Sequence, residues 1–143
     1  MILVLDASVP LSWLLRDAAG KDERYAFDIL KALRTGDTRC SVPVIWGLEV
    51  ANVVARCESK ALITQAQSEA FLEMLRDLAV EVDIASAGQS LAQTLQLARR
   101  YNLSAYDASY LELALRSSHP LATLDADLRR AAKKAGVKQF SPT

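Results

Sequence analysis

The chain is poor in the residues on which several common chemistries depend. Its single histidine, His119, sits directly before Pro120 and reads as a loop residue rather than a general base. A Ser-His-Asp triad would rest on that one residue, and no nucleophile elbow accompanies it. Only two cysteines occur, Cys40 and Cys57, without zinc spacing. They fit reduced, partly buried thiols of a cytosolic protein. No apolar run approaches the roughly 18 residues of a membrane span. The opening run MILVL stops at Asp6 and has no basic segment before it, so it reads as a first strand rather than a signal peptide. A cytoplasmic location with no membrane partner is the expectation. The phosphate-loop pattern G-x-x-x-x-G-K-[ST] and the dinucleotide pattern G-x-G-x-x-G are both missing. The few aromatics, among them Trp13, Trp46, Phe27, Phe71 and Phe140, read as core or interface rather than base-stacking platforms. Net charge is zero, so there is no global basic signal for nucleic acid. Five glycines and four prolines are scattered as punctuation, with no linker, repeat or low-complexity tract. A single domain over residues 1–143 follows.

What the chain does have is an ordered series of apolar runs and helical patterns. ILVLD, CSVP, VEVDI, PLATLD and VKQF read as short strands, continuous rather than alternating, as buried parallel strands are. Between them lie amphipathic patterns. DERYAFDILKALRTG predicts a helix stopped at Gly36, and further helices are expected around 44–58, 64–78, 86–101, 104–117 and 126–135, the last ending at Gly136. Ser8 can cap a first helix that carries Pro10 in its first turn. Strands interleaved with helices predict an α/β, three-layer α/β/α domain with a mainly parallel sheet of about five strands.

Four carboxylates stand where these elements begin or end. Asp6 ends the first apolar run, and Asp125 follows PLATL. Glu49 interrupts the apolar stretch VIWGLEVANVV, and Asp107 opens the pattern YDASYLELALR. In parallel sheets, ligands bind outside the carboxyl ends of the strands, so these acids can reach one crevice. Each also has a plain structural explanation. Asp6 can be a turn residue. Glu49 can pair with an Arg or lie at a solvated edge. Ser104-Ala105-Tyr106-Asp107 matches a capping box, and Asp125 can cap the helix that follows, with Asp127 adding a favourable charge to its first turn. Asn52, one turn beyond Glu49, can orient that carboxylate. Thr123 shares a strand face with Asp125, so its hydroxyl can bind the acid or a metal-bound water.

The joint pattern is harder to explain by capping alone. Two carboxylates about 4 Å apart repel by roughly 4 kcal/mol at an effective dielectric near 20, so four gathered acids call for a cation. Oxygen ligands without Cys or His favour Mg2+ or Mn2+ over zinc. If the four acids are neutralised, 13 acids remain against 17 Lys and Arg. Arg99, Arg100, Arg129, Arg130, Lys133, Lys134 and Lys138 cluster late in the chain. They read either as solvated helix faces or as phosphate contacts beside an acidic site.

VLDASV, the Pro followed by WGLEVANV, LSAYDASYLELA and LATLDADLRRAA together resemble the PIN domain, and more closely the VapC-type toxins of bacterial type II toxin–antitoxin systems. The likeness spans the whole chain, with the motifs in order. It implies a Mg2+- or Mn2+-dependent endoribonuclease, a homodimer, and inhibition by a cognate VapB-type antitoxin. Carried over by motif, Asp6, Glu49, Asp107 and Asp125 match the catalytic, metal-holding quartet, while Ser8, Asn52 and Thr123 match supporting polar residues and Asp127 matches a more variable acid. The apolar helices around 27–33 and 62–75 are the dimer candidates. Two other classes stay open. One is a non-catalytic PIN-like module that binds RNA or protein, its acids serving only as caps. The other is an aspartyl-phosphate domain, which would want an acidic pair after the first strand where this chain has Asp6-Ala7-Ser8.

Overall fold

A computed structural model describes residues 1–142 of the chain. The elements run β1 (Ile2–Leu5), α1 (Ser8–Leu15), α2 (Gly20–Arg34), β2 (Arg39–Pro43), α3 (Ile45–Ser59), α4 (Gln65–Asp77), β3 (Glu81–Asp83), α5 (Ser86–Gln89), a π-helical turn (Ser90–Thr94), α6 (Leu95–Tyr101), α7 (Ala105–Ser117), β4 (Leu121–Ala122) and α8 (Ala126–Ala135). The sheet order is β3-β2-β1-β4, and every pairing is parallel. The chain therefore lays β2 and β3 to one side of β1, then returns to place β4 on the other. That reversal makes the gap beyond the carboxyl ends of β1 and β4 the switch point of the sheet, where α/β folds open a crevice.

Local sequence explains most of the helices. α2 carries Asp22 and Glu23 in its first turn and Lys31 and Arg34 in its last, matching the helix dipole. Its buried residues, Ala26, Ile29, Leu30 and Leu33, follow helical spacing onto the core. α4 starts with a complete capping box between Thr64 and Gln67. α8 ends at Gly136, whose φ of +82° is left-handed backbone that favours glycine. Leu3, Val4 and Leu5 of β1 are wholly buried, as are Tyr110 and Leu111 of α7. Each such side chain contributes about 1.5–3 kcal/mol by leaving water, so α7 is anchored over the middle of the sheet. Its far end is tied to β3, where Arg116 is hydrogen-bonded to buried Glu112 (2.6 Å) and to Asp83 (2.5 Å).

Four details depart from the sequence reading. Among the described residues the sheet has four strands rather than five. The expected strand VKQF forms only a single parallel bridge, Gln139 to Leu121. There the Leu121 N–H donates to the Lys138 carbonyl and the Phe140 N–H donates to the Leu121 carbonyl. β4 is too short to extend that ladder, because from Leu124 onward the backbone N–H groups bond to side chains instead. β3, read with the other runs as a buried strand, lies at the sheet edge, where Val82 is 52% exposed and neighbouring Ile84 80%. The single helix expected over 86–101 is broken at Ala92, whose φ of −118° and ψ of −105° are non-helical. Gly88, Ser90 and Thr94 are weak helix formers there, and nothing buries Leu91 to compensate. Ser8 does not cap α1 with its side chain. Ala7 holds the cap position, and the Ser8 hydroxyl is engaged elsewhere.

Candidate functional site

Asp6 is the first residue beyond β1, and it is only 4% exposed. Its Oδ2 accepts two hydrogen bonds, from the Ser8 hydroxyl (2.5 Å) and the Thr123 hydroxyl (2.7 Å). Both hydroxyls are themselves acceptors. The Leu124 N–H donates to Ser8 Oγ and the Asp125 N–H donates to Thr123 Oγ1, each at 3.0 Å. With those lone pairs taken, each hydroxyl proton is directed at Asp6. Burial raises the Asp6 carboxyl above its ordinary range, the two hydroxyls work against that rise, and the charge of Asp125 adds to it. The Ser8 backbone adds a further hydrogen bond to the carboxylate, so the strand end is built to hold a buried acid in place.

Glu49 lies on α3, half-buried, and its Oε1 accepts the Tyr110 hydroxyl at 2.5 Å. Burial raises its carboxyl, Tyr110 opposes the rise, and Asp6 adds to it. Asp107 stands in the first turn of α7. Ser104 caps that helix by accepting the Asp107 N–H at 3.0 Å, yet the Asp107 side chain does not complete the reciprocal half of a capping box. Its carboxyl is pushed up to about 6, first by burial and then by repulsion from Asp6, Asp125, Glu49 and Asp127. Asp125 caps α8, with Oδ1 accepting the Leu128 N–H at 2.8 Å. Capping and site membership are therefore compatible.

The four acids read from the sequence act on one another, and none of them forms an ion pair among the described residues. Asp127 contributes to the same field but is paired with Arg130. Thr123 and Ser8 bond directly to Asp6. Asn52 is exposed on α3, and the partner that holds Glu49 is Tyr110. Within YDASYLELALR the sequence reading drew a functional residue only from Asp107, not from Tyr110. The signal was available, because a buried tyrosine needs a partner for its hydroxyl and Tyr110 lies one turn beyond Asp107. Arg129 also differs from expectation. Its Nε donates to the Thr123 carbonyl (2.9 Å), its Nη1 to Asp22 (3.2 Å), and its guanidinium lies over the Tyr25 ring. It braces the end of β4 rather than reaching outward.

Does this donor set suit a divalent cation? Its chemistry does: the donors are oxygens, the acids are short of counter-charge, and burial together with repulsion from its neighbours holds Asp107 near 6. Among the described residues, however, no three acids already stand as a finished metal cage. A divalent cation held by these acids would need side chains to turn inward from the positions they occupy.

Comparison with known proteins agrees with this architecture. A family model described as PIN domain matches residues 3–134. No curated protein matches the chain. FitAcB from Neisseria gonorrhoeae aligns with a TM-score of 0.61 at 25% identity, over 99% of this chain and 98% of that one. VapBC2 from Rickettsia felis, bound to a DNA fragment from their promoter, aligns at 0.68 and 12% identity, over 98% of each chain. PAE2754 from Pyrobaculum aerophilum aligns at 0.67 and 20%, over 97% of this chain and 83% of that one.

Proposed function

The chain belongs to the PIN domain family, and from that premise we propose that it is a metal-dependent endoribonuclease toxin of a VapBC-type toxin–antitoxin module. PIN domains are generally nucleases and typically use divalent metals. The observation that carries the reading is the buried Asp6 at the strand end, held by the Ser8 and Thr123 hydroxyls, with Asp107 near enough to feel its charge: burial first, then Asp6 and three further carboxylates, raises the proton affinity of Asp107. Acids that serve only as helix caps have no reason to repel one another there.

Asp6, Glu49, Asp107 and Asp125 would hold the ion, Mg2+ or Mn2+. Once bound, it would neutralise the cluster, polarise a phosphodiester and lower the pKa of a water. The chain's own residues do the positioning. Ser8 and Thr123 fix Asp6 by its Oδ2. Tyr110 keeps its proton on the side of Glu49 Oε1 and so fixes that acid's direction. Leu128 N–H holds one oxygen of Asp125 and leaves the other free. Hydrolysis by water leaves 5′-phosphate and 3′-hydroxyl ends, whereas a 2′,3′-cyclic phosphate would signal attack by the ribose hydroxyl.

A VapB-type antitoxin is the proposed protein partner, in keeping with the toxin–antitoxin complexes among the fold neighbours. A homodimer through α2 and α4 is also proposed, because Phe27 on α2 is 56% exposed, and Leu62 just before α4 and Leu72 on α4 are exposed as well. No helix among the described residues is long and apolar enough to cross a membrane. The test is a panel of transfer RNAs incubated with purified protein and Mn2+, with and without EDTA, against Asp6→Asn. EDTA-sensitive cleavage that Asp6→Asn abolishes is expected. Cleavage that survives both would rule the proposal out.

A further inference from the structure

Beside the acids lies a cleft of about 460 Å3 with the opposite charge, between the end of α6 and the outer face of α8. Arg100, Tyr101 and Asn102 line it from α6, and Asp127, Arg130 and Lys134 from α8. We infer that this cleft is a phosphate-binding subsite for single-stranded RNA, seating a backbone phosphate next to the one that is cut. The inference rests on the nuclease reading, whose acids adjoin the cleft through Asp127.

The charges argue against an ordinary solvated face. Three cations meet one acid, and that acid is already paired with Arg130. Arg100 and Lys134 have no carboxylate partner among the described residues. Arg100 instead lies over the Tyr101 ring, 5.6 Å from its centroid, which leaves guanidinium N–H groups for another acceptor. Compensation of the helix dipole accounts for Arg100 and Lys134, each in the last turn of its helix. It does not account for Arg130, which sits mid-helix one turn before Lys134. Like charges at that spacing repel, and a bound anion relieves the repulsion.

The cleft also connects to the site. Asp127 lines it and stands in the first turn of α8, two residues after the capping Asp125. A polyanion crossing this boundary would present one phosphate to the acidic pocket and its neighbour to Arg100 and Lys134. The released Arg130 could follow, because an RNA phosphate competes with Asp127 for the same guanidinium. Contacts of this kind set position and register without reading sequence.

The test is binding of a fluorescein-labelled 20-nucleotide oligouridylate in EDTA, followed by anisotropy across a KCl series. Because nothing is cut in EDTA, the result does not depend on the nuclease reading. The variant Arg100→Gln/Lys134→Gln changes two exposed side chains, and an unchanged melting temperature would show that it folds. Each lost phosphate contact should lower the slope of log K against log salt by about 0.7 on a single strand, so the pair should lower it by about 1.4. Lys31→Gln/Arg34→Gln on α2 is the control and should leave the slope alone. In Mn2+, the cleft variant should raise KM for RNA and spare kcat. An unchanged slope, an equal loss in the α2 control, or a loss seen on duplex DNA but not on RNA would overturn the subsite. Normal cleavage with an unchanged slope would reject the cleft alone. A lowered slope with no cleavage by the wild type would reject the nuclease reading alone.

Discussion

Replacing Asp107 by Asn should stabilise the protein when no metal is present. The Asp107 carboxyl rises from 3.8 to about 6 on folding. Between those values the unfolded chain has lost this proton while the folded chain keeps it. The folded state therefore binds more protons, and stability falls as pH climbs through the window, with the full penalty present above about 6. At 1.36 kcal/mol per pH unit the gap corresponds to about 3 kcal/mol. Asp107 is only half-buried, so screening by water cuts this to about 1.5 kcal/mol. Asn also forgoes an acid in the first turn of α7, a loss of about 0.5 kcal/mol. The balance is about 1 kcal/mol, or about 3 °C in melting temperature for a chain of this size. The assay is a pair of thermal melts in EDTA, at pH 5 and pH 7. Asp107→Asn should melt about 3 °C above the wild type at pH 7, with a smaller advantage at pH 5. A variant that melts lower at pH 7, or a difference that ignores pH, would refute the reasoning and with it the gathering of the acids.

Tyr110→Phe keeps the buried ring but strips Glu49 of its donor, so urea unfolding should show a loss of about 1.5 kcal/mol, and an unchanged midpoint would mean that the 2.5 Å contact carries no weight. Thr123→Val removes a donor to Asp6 and leaves the Asp125 N–H without its acceptor, which should cost about 1–3 kcal/mol by the same measurement; a loss no larger than that of a surface substitution would contradict the network. Mn2+ at about 100 times its dissociation constant should stabilise the wild type by about 2.7 kcal/mol, and a melting temperature indifferent to Mn2+, or raised equally in Asp6→Asn, would place the ion elsewhere.

The acids were legible in the sequence for a local reason. A carboxylate that closes an apolar run, as Asp6 and Asp125 do, marks the end of a buried strand, and the carboxyl end of a parallel strand has a known direction. Their meeting was not legible in the same way, because strand order depends on pairings between distant segments. The crossover that sets β4 beside β1 brings Thr123 to Asp6, a contact across 117 positions. Ser8 was read both as a helix cap and, through the resemblance, as a support for the acids; the cap reading failed because serine before a helix serves equally well as a cap or as a donor to an acid two residues back. Only the position of the Leu124 N–H decides between them. Tyr110 and Arg129 escaped notice because their hydrogen bonds are hidden behind ordinary roles, one as core and the other as a surface cation. VEVDI was read with the other runs as a buried strand because it is apolar enough, and its place at the sheet edge depends on a strand order that the sequence does not carry.

The same bonds divide the proposed site into a fixed half and a waiting half. Asp6 is clamped by two hydroxyls whose other lone pairs are filled from the backbone, so its orientation is decided before any ligand arrives. Glu49 is held by Tyr110 in the same way. Asp107 receives no such hydrogen bond on its carboxylate and is pressed by four neighbours, which makes it the acid with most to gain from a cation. A site clamped on all sides would carry the full repulsion of its acids in every metal-free molecule. A site clamped on none would lose side-chain freedom at several positions when the ion binds. Holding Asp6 and Glu49 while leaving Asp107 free keeps both penalties small. On this reading the decisive movement on metal binding belongs to the Asp107 side chain, while the β1 end and Tyr110 stay where they are.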